Sequence, residues 1–206
     1  MYRQETSQNI AGSLISIKDS FTSDMFRQMT ELHKIELSAG LLPLFGNSFL
    51  NKMYRYAATF SGTRLVALLD GDQVAGFIMG STGHGGFYRG LLVRAWRDIL
   101  VALIKKPRAI WRALKIAGHV AAVPDRAELM SIVVRTDYRN CGVAQKLLNE
   151  LRHELGITGV ECFFVIAATT QPAALRFYQK AGGVMVEQST LGGLNTLTFR
   201  YECSSS

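Results

Sequence analysis

The stretch from Val133 to Ala144 constrains the fold of this chain more than any other segment. An apolar run at 129–134 is typical of a buried strand, and the polar turn after it leads into a segment with helical spacing. The first N–H groups of a helix have no partner inside the helix and carry partial positive charge. Gly142 and Arg139 stand at this junction, so it predicts a phosphate site made of backbone N–H groups and a guanidinium. Taken alone, the small residues also suit plain packing of a helix on a strand.

A second block of the same kind follows. Its strand is predicted at 162–167, and its helix begins at Pro172 and ends before Gly182. The helix of the first block is predicted to open at Asn140 or Cys141.

In this order the two blocks resemble the GNAT superfamily of N-acetyltransferases. Residues 139–144 match its acetyl-CoA motif, Arg/Gln-x-x-Gly-x-Gly/Ala. The second block resembles the family's next strand and helix, with Tyr178 and Gly182 in place and Gly183 where an aromatic residue usually stands. The close match covers about residues 127–182. It implies an α/β (α+β) fold: a mixed, mostly antiparallel central sheet flanked by helices.

The resemblance implies acetyl-CoA as co-substrate. Its pyrophosphate would lie on the amides of 140–144, and its pantetheine would pair with the strand edge at 132–134. That strand commonly carries a bulge in the family, and the exposed N–H groups can hold the thioester carbonyl. Gln171 stands where the family often has asparagine. The implied cofactor-binding residues are Ile132, Val133, Val134, Arg139, Asn140, Cys141, Gly142, Val143, Ala144 and Gln171.

Two residues are candidates for proton transfer during direct attack of an amine on the thioester. Tyr178 matches the family's general acid, and a phenol can donate to a thiolate of similar basicity. Glu128, at the entry of the first strand, is the candidate general base. Each has a structural alternative: a core aromatic for Tyr178, and a solvated strand-end carboxylate for Glu128. His84, on a glycine-rich loop, and His33 are weaker candidates.

Metal and disulfide chemistry find no support in the sequence. The four histidines lack metal-ligand spacing, and the three cysteines are too few and scattered for a zinc site or a disulfide framework. We therefore expect no metal.

The 206 residues are expected to form one acyl-CoA N-acyltransferase domain, 1–206. The N-terminus lacks the profile of a signal peptide and no run of 18 apolar residues occurs, which indicates a cytoplasmic protein. Helices are predicted near 23–38 and 48–59, and further strands at 14–18, 63–69, 73–79, 184–189 and 194–201.

A basic segment interrupts this pattern. Residues 88–119 hold eight basic side chains and one acidic one, and thus carry the whole formal net charge of +7. Two helices are predicted there, 89–104 and 108–117, separated by Pro107. The family usually joins the flanking strands by a short turn, so we interpret about 87–122 as a helical insertion.

Three uses of the insertion remain open from the sequence. It could form a wall of the acceptor cleft, or it could form a homodimer. It could also contact an anionic membrane peripherally, at the inner membrane face, through 89–117 with Trp96 and Trp111 at the interface. Nucleic acid is disfavoured because the segment lacks a stacking platform or a recognition-helix pattern.

The predicted activity is transfer of an acetyl group from acetyl-CoA to a primary amine. The basic segment favours a phosphorylated, nucleotide-linked or lipid-linked amino sugar as acceptor, and disfavours basic peptides. The alternative is a non-catalytic acyl-CoA-binding or membrane-recruited module on the same fold.

Overall fold

A seven-stranded mixed sheet organises the computed structural model, which describes residues 13–16, 21–38, 40–83, 85–105, 107, 126–191 and 193–203. The strand order is β1-β2-β3-β4-β5-β7-β6, and only β4 and β5 run parallel. This confirms the predicted fold class. The strands are β1 (Ser13–Ser16), β2 (Thr63–Asp70), β3 (Gln73–Ser81), β4 (Glu128–Val134), β5 (Cys162–Ala168), β6 (Val184–Leu191) and β7 (Leu194–Glu202).

Five helices flank the described part of the sheet. Local signals explain several of their ends: the Thr22 hydroxyl accepts a hydrogen bond from the Met25 N–H at 3.2 Å and caps the first helix. Pro172 opens the last helix, and Gly182 follows it with a φ of 89°. The helices are α1 (Ser23–Glu36), α2 (Asn47–Thr59), α3 (Gly85–Lys105), α4 (Val143–Gly156) and α5 (Pro172–Lys180), with 3₁₀ turns at Leu42–Phe45 and Thr136–Tyr138.

The two faces of the sheet carry separate apolar cores, because successive side chains of a strand point to opposite faces. Phe77 of β3 packs with α1, α2 and α3 on one face. Its neighbour Ile78 packs on the other face with Leu147 and Leu151 of α4. Helices on both faces therefore hold β4 at the centre of the molecule.

Helix α3 differs from its prediction at its start and in its outer face. It begins at Gly85, four residues before the predicted start, and its backbone leaves helical geometry at Ala95. Phe87 and Leu91 bury one face in the first core, whereas Leu92 and Trp96 are exposed. None of the described helices is long and apolar enough to cross a membrane. The predicted helix at 108–117, with Trp111, lies outside the described residues.

Candidate functional site

A cleft opens where β4 and β5 separate. Among the described residues the two strands pair only at Glu128 and Phe164, and the Phe164 N–H donates to the Ala127 carbonyl at 3.0 Å. Beyond this point lies a cleft of about 470 Å³ between β4, α4 and α5. It is lined by Glu36, Leu37, Ile132, Val133, Val134, Tyr138, Arg139, Asn140, Gly142, Val143, Ala144, Gln145, Ala174, Phe177 and Tyr178.

Strand β4 carries a bulge beside this cleft. Ser131 lies opposite Met79 and Leu129 lies opposite Gly80, so Met130 is an extra residue without a partner on β3. A bulge bends its strand and disrupts the local ladder. Because β5 has already diverged, the β4 edge at Ile132–Val134 faces the cleft. Its N–H and C=O groups can form hydrogen bonds with an extended ligand.

The N-terminus of α4 forms one end of the cleft. Gly142 is its N-cap residue, with a φ of 78°, and the first helical bond runs from the Lys146 N–H to the Gly142 carbonyl at 3.0 Å. The N–H groups of residues 143–145 therefore have no partner within the helix. A Cβ on Gly142 would meet no protein atom within 4 Å, so the positive φ rather than packing calls for glycine here.

The predicted start of this helix was two to three residues early. Asn140 also has a positive φ, 62°, and cannot belong to a right-handed helix. Residues 139–142 form turns, and the helix begins at Val143. The left-handed turn aims the unpartnered N–H groups along the cleft, where helix dipole and donors together favour an anion.

Arg139 reaches this end of the cleft, but its guanidinium pairs with the carboxylate of Glu36 from α1. The Glu36 side chain is only 10% exposed. It also accepts hydrogen bonds from the N–H and the hydroxyl of Thr136, at 3.1 and 2.8 Å. We call Arg139 and the N–H groups of residues 143–145 the cradle. The cradle therefore contains one carboxylate beside its guanidinium, which sequence reasoning missed because Glu36 is 100 positions away from Thr136.

Tyr178 lines the cleft from α5. Its ring packs against Phe177 and Phe199, and its side chain is almost fully buried. Burial raises the pKa of the phenol above its ordinary value, so the hydroxyl stays protonated and can act as a donor. Tyr201 fixes the helix by donating from its hydroxyl to the Tyr178 carbonyl at 2.6 Å.

Glu128 lies outside the residues that line the cleft, at the last point where β4 and β5 still pair. Its side chain is buried, and burial raises the pKa of the carboxyl to about 7, although the charge of Arg126 opposes this shift. Tyr88, near the start of α3, interacts electrostatically with it: burial, and then the charge of Glu128, raise the pKa of Tyr88 to about 12. A carboxyl that titrates near neutrality suits a general base.

The remaining candidates take other positions. Cys141 is an exposed free thiol, and Gln171 is the exposed N-cap residue of α5; neither lines the cleft. His33 is buried, its Nδ1 lies 2.5 Å from the Tyr54 hydroxyl, and burial lowers its pKa to about 4, all of which favours a structural role. His84 lies outside the described residues. Within the described ranges no three metal-binding side chains cluster together.

Comparisons with known proteins agree with this geometry. The model of the acetyltransferase (GNAT) family matches residues 28–183. Among curated protein sequences, none is significantly similar to the chain.

Solved structures share the fold at low sequence identity. A GNAT-family acetyltransferase from Desulfovibrio desulfuricans has a TM-score of 0.62 at 14% identity, covering 93% of this chain and 100% of that one. An aminoglycoside 6′-N-acetyltransferase complexed with coenzyme A has a TM-score of 0.59 at 14% identity, covering 92% and 97%. A streptothricin acetyltransferase from Bacillus anthracis, in complex with acetyl coenzyme A, has a TM-score of 0.50 at 15% identity, covering 72% and 68%.

The family match spans most of the chain, including β4, the cradle and α5. The chain therefore belongs to the GNAT family of acetyltransferases and is an enzyme that uses acetyl-CoA as its acetyl donor.

Proposed function

We propose that the cleft between β4 and α4 binds acetyl-CoA and that a primary amine attacks its thioester directly. The observation that carries this proposal is the separation of β4 from β5. It opens a cleft that ends at Gly142, whose backbone is left-handed. The β4 edge at Ile132–Val134 would pair with the pantetheine, and the amides at 143–145 with the pyrophosphate. Arg139 would contribute its positive charge there. The phosphates would compete with Glu36 for its guanidinium.

The two proposed proton-transfer groups lie on opposite faces of the sheet, Tyr178 in the cleft and Glu128 at the point where β4 and β5 still pair. Tyr178 belongs to the core formed with α4 and α5, whereas Tyr88, the neighbour of Glu128, packs on the core formed with α1, α2 and α3. Glu128 accepts a proton from the amine, whose nitrogen forms the new bond to the carbonyl carbon. Tyr178 donates a proton to the thiolate that leaves as the C–S bond breaks. N–H groups beside the β4 bulge stabilise the carbonyl oxygen during the attack.

The proposed acceptor is an amino sugar that carries phosphate, either nucleotide-linked or lipid-linked. Ser81 of β3 lies opposite Glu128, and α3 begins four residues after Ser81. The basic helix therefore starts close to the proposed base. Its exposed arginines are Arg89, Arg94 and Arg97.

Initial rates test this acceptor. We expect an amino sugar phosphate to be acetylated with a higher kcat/KM than the same sugar without phosphate. Equal values would exclude the proposed acceptor class while leaving acetyl transfer intact.

The outer face of α3 supports a lipid-linked acceptor at an anionic membrane surface. Leu92, Val93, Trp96, Leu100 and Ile104 are all about half exposed or more, and they share one side of the helix. Exposed apolar side chains next to arginines are typical of helices that lie in the membrane interface. We expect binding to vesicles with anionic lipid but not to neutral vesicles, and weaker binding of Trp96→Glu. A concentration-dependent dimer that Trp96→Glu dissociates would instead assign this face to a second copy of the chain.

The same measurements address the non-catalytic alternative. A recruited module without activity would bind acetyl-CoA and vesicles but acetylate no amine, and Tyr178→Phe would change no rate.

We propose one domain, 1–206, with about 87–122 as an insertion, since Phe87 and Leu91 anchor α3 in the first core.

A further inference from the structure

Arg126 carries a buried donor that the described protein leaves unpaired. Its Nε is shielded from solvent and has no hydrogen-bond acceptor among the described residues. Its guanidinium lies over the ring of Phe164, with 4.3 Å from Cζ to the ring centroid. Stacking on the ring fixes the plane of the guanidinium without satisfying its donors. Arg126 is half-buried, and a charged side chain with a shielded, unused N–H is costly, so an acceptor atom is expected at this place.

A second arginine, just past the other end of β4, is held by protein groups. The Nε of Arg135 is also buried without a hydrogen bond. However, its Nη1 donates to the Gln73 side chain at 2.8 Å, and its Nε lies 3.2 Å from the Asp137 carboxylate. Protein groups therefore hold and partly neutralise Arg135. For Arg126, the described residues offer the Nε no hydrogen bond, and the carboxylate that interacts with its charge is that of the proposed base, Glu128.

Arg126 also stands next to the proposed base. It precedes Glu128, the first residue of β4, by two residues, and its guanidinium lies over Phe164. Phe164 is the residue opposite Glu128 on β5. The charge of Arg126 lowers the pKa of Glu128, which means that the two groups are close enough to interact.

We infer that Arg126 binds an anionic group of the acceptor, a phosphate or a carboxylate, beside the amine that Glu128 deprotonates. The inference rests on the proposed function, because it takes Glu128 as the group that faces the amine. The guanidinium fork matches two oxygens of an oxyanion, and the Phe164 ring provides an apolar floor under the carbon skeleton. Arg126 thus determines specificity, and the preferred substrates are amines that carry a negative charge.

Melting temperatures of the coenzyme A-saturated protein test the binding step without turnover. Saturating coenzyme A occupies the cradle, so an added anion reports on another site. We expect glucosamine 6-phosphate to raise the melting temperature by several degrees more than glucosamine does. Arg126→Gln should abolish this difference. Arg55→Gln should keep it, because Arg55 is an exposed arginine that also lies over a phenylalanine ring, Phe26, at 5.1 Å.

A second pair of amines, β-alanine and its amide, distinguishes a carboxylate from a phosphate as the bound group. Where these amines are turned over, the ratio of kcat/KM between the anionic and the neutral member should fall at least tenfold in Arg126→Gln. The KM for acetyl-CoA should not change. Arg126→Lys keeps the charge and should retain part of the preference. This partial rescue would show that Arg126→Gln acts by removing a contact with the anionic group and not by unfolding the protein.

Three outcomes separate this inference from the proposed function. If wild type and Arg126→Gln respond alike to both pairs, Arg126 binds no anionic group and the inference is wrong. Turnover of amines without any preference for the anionic member overturns it too, and leaves the proposed function standing. An Arg126-dependent melting shift without turnover of any amine supports the subsite and contradicts the proposed function.

Discussion

Glu36, the last residue of α1, accepts hydrogen bonds from both the N–H and the hydroxyl of Thr136, 100 positions further along the chain. The same carboxylate pairs with Arg139. One helix end on the opposite side of β4 from α4 therefore fixes the turn that precedes the cradle. It also places a negative charge where the proposed ligand brings phosphates.

Glu36→Gln separates these two effects. The amide oxygen can still accept hydrogen bonds from Thr136, but the charge beside Arg139 is removed. We expect acetyl-CoA to bind about three- to tenfold more tightly at low ionic strength, roughly 1 kcal/mol, since a repulsive charge near its phosphates is lost. Calorimetric titration measures this directly, and the gain should shrink as salt is added. Weaker binding would mean that Glu36 serves mainly to hold Arg139 in place.

Tyr178→Phe tests the general acid. The variant keeps the ring that packs against Phe177 and Phe199, so its melting temperature and its affinity for acetyl-CoA should stay close to the wild type. Loss of proton donation should lower kcat by about a hundredfold or more. A kcat equal to that of the wild type would assign Tyr178 to the core alone.

The two blocks around the cleft could be predicted from sequence because their signals are local. Pro172 and Gly182 bound α5 as expected. The start of α4 was misplaced since Asn140 takes a left-handed conformation that its residue type permits but does not require. Glu36 could not be found, because no pattern in the chain links a helix end to a turn 100 positions later.

The exposure of the outer face of α3 could not be predicted from helical spacing. Helical spacing groups Leu92 with Trp96, and such a stripe most often packs on a core. In the structure Phe87, Leu91 and Ala95 pack on the first core instead. Packing against α2 and β3 decides which of the two apolar faces of α3 is buried. The helical periodicity of the sequence does not contain this information.

The pH dependence of catalysis should report Glu128. Burial raises the pKa of its carboxyl to about 7, and the protonated form cannot accept a proton from the amine. We expect kcat/KM to fall about tenfold per pH unit below 7 in the wild type. In Glu128→Gln the break near pH 7 should vanish, because the variant can use only the neutral amine, and kcat/KM should rise steadily with pH up to the pKa of the acceptor amine. A limb near 7 that persists in the variant would belong to another group.

Stability against pH tests the same carboxyl without any substrate. Its pKa is raised from 4.5 to about 7 on folding, so the folded state binds the proton more tightly than the unfolded state does. The contribution of Glu128 to the free energy of unfolding is therefore greatest below pH 4.5 and is lost as the pH rises to 7. Relative to the wild type, Glu128→Gln should gain on the order of 2 to 3 kcal/mol between pH 4.5 and pH 8.

Chemical denaturation at several pH values measures this gain, and Glu187→Gln, at an exposed strand position, is the matched control. The control should show no change in its difference from the wild type across the same range. A flat difference for Glu128→Gln as well would contradict the raised pKa.

Binding of acetyl-CoA at the Gly142 turn is the central claim, and one calorimetric comparison tests it most directly. Gly142 and Gly159 have nearly the same left-handed φ, 78° and 80°, and a Cβ on either meets no protein atom within 4 Å. Glutamate at either position therefore imposes similar backbone strain and the same charge, but only Gly142 borders the cleft. We expect that Gly159→Glu binds acetyl-CoA as the wild type does, and that Gly142→Glu loses at least about a hundredfold in affinity. Equal affinity in all three proteins would show that the pyrophosphate does not lie at the N-terminus of α4.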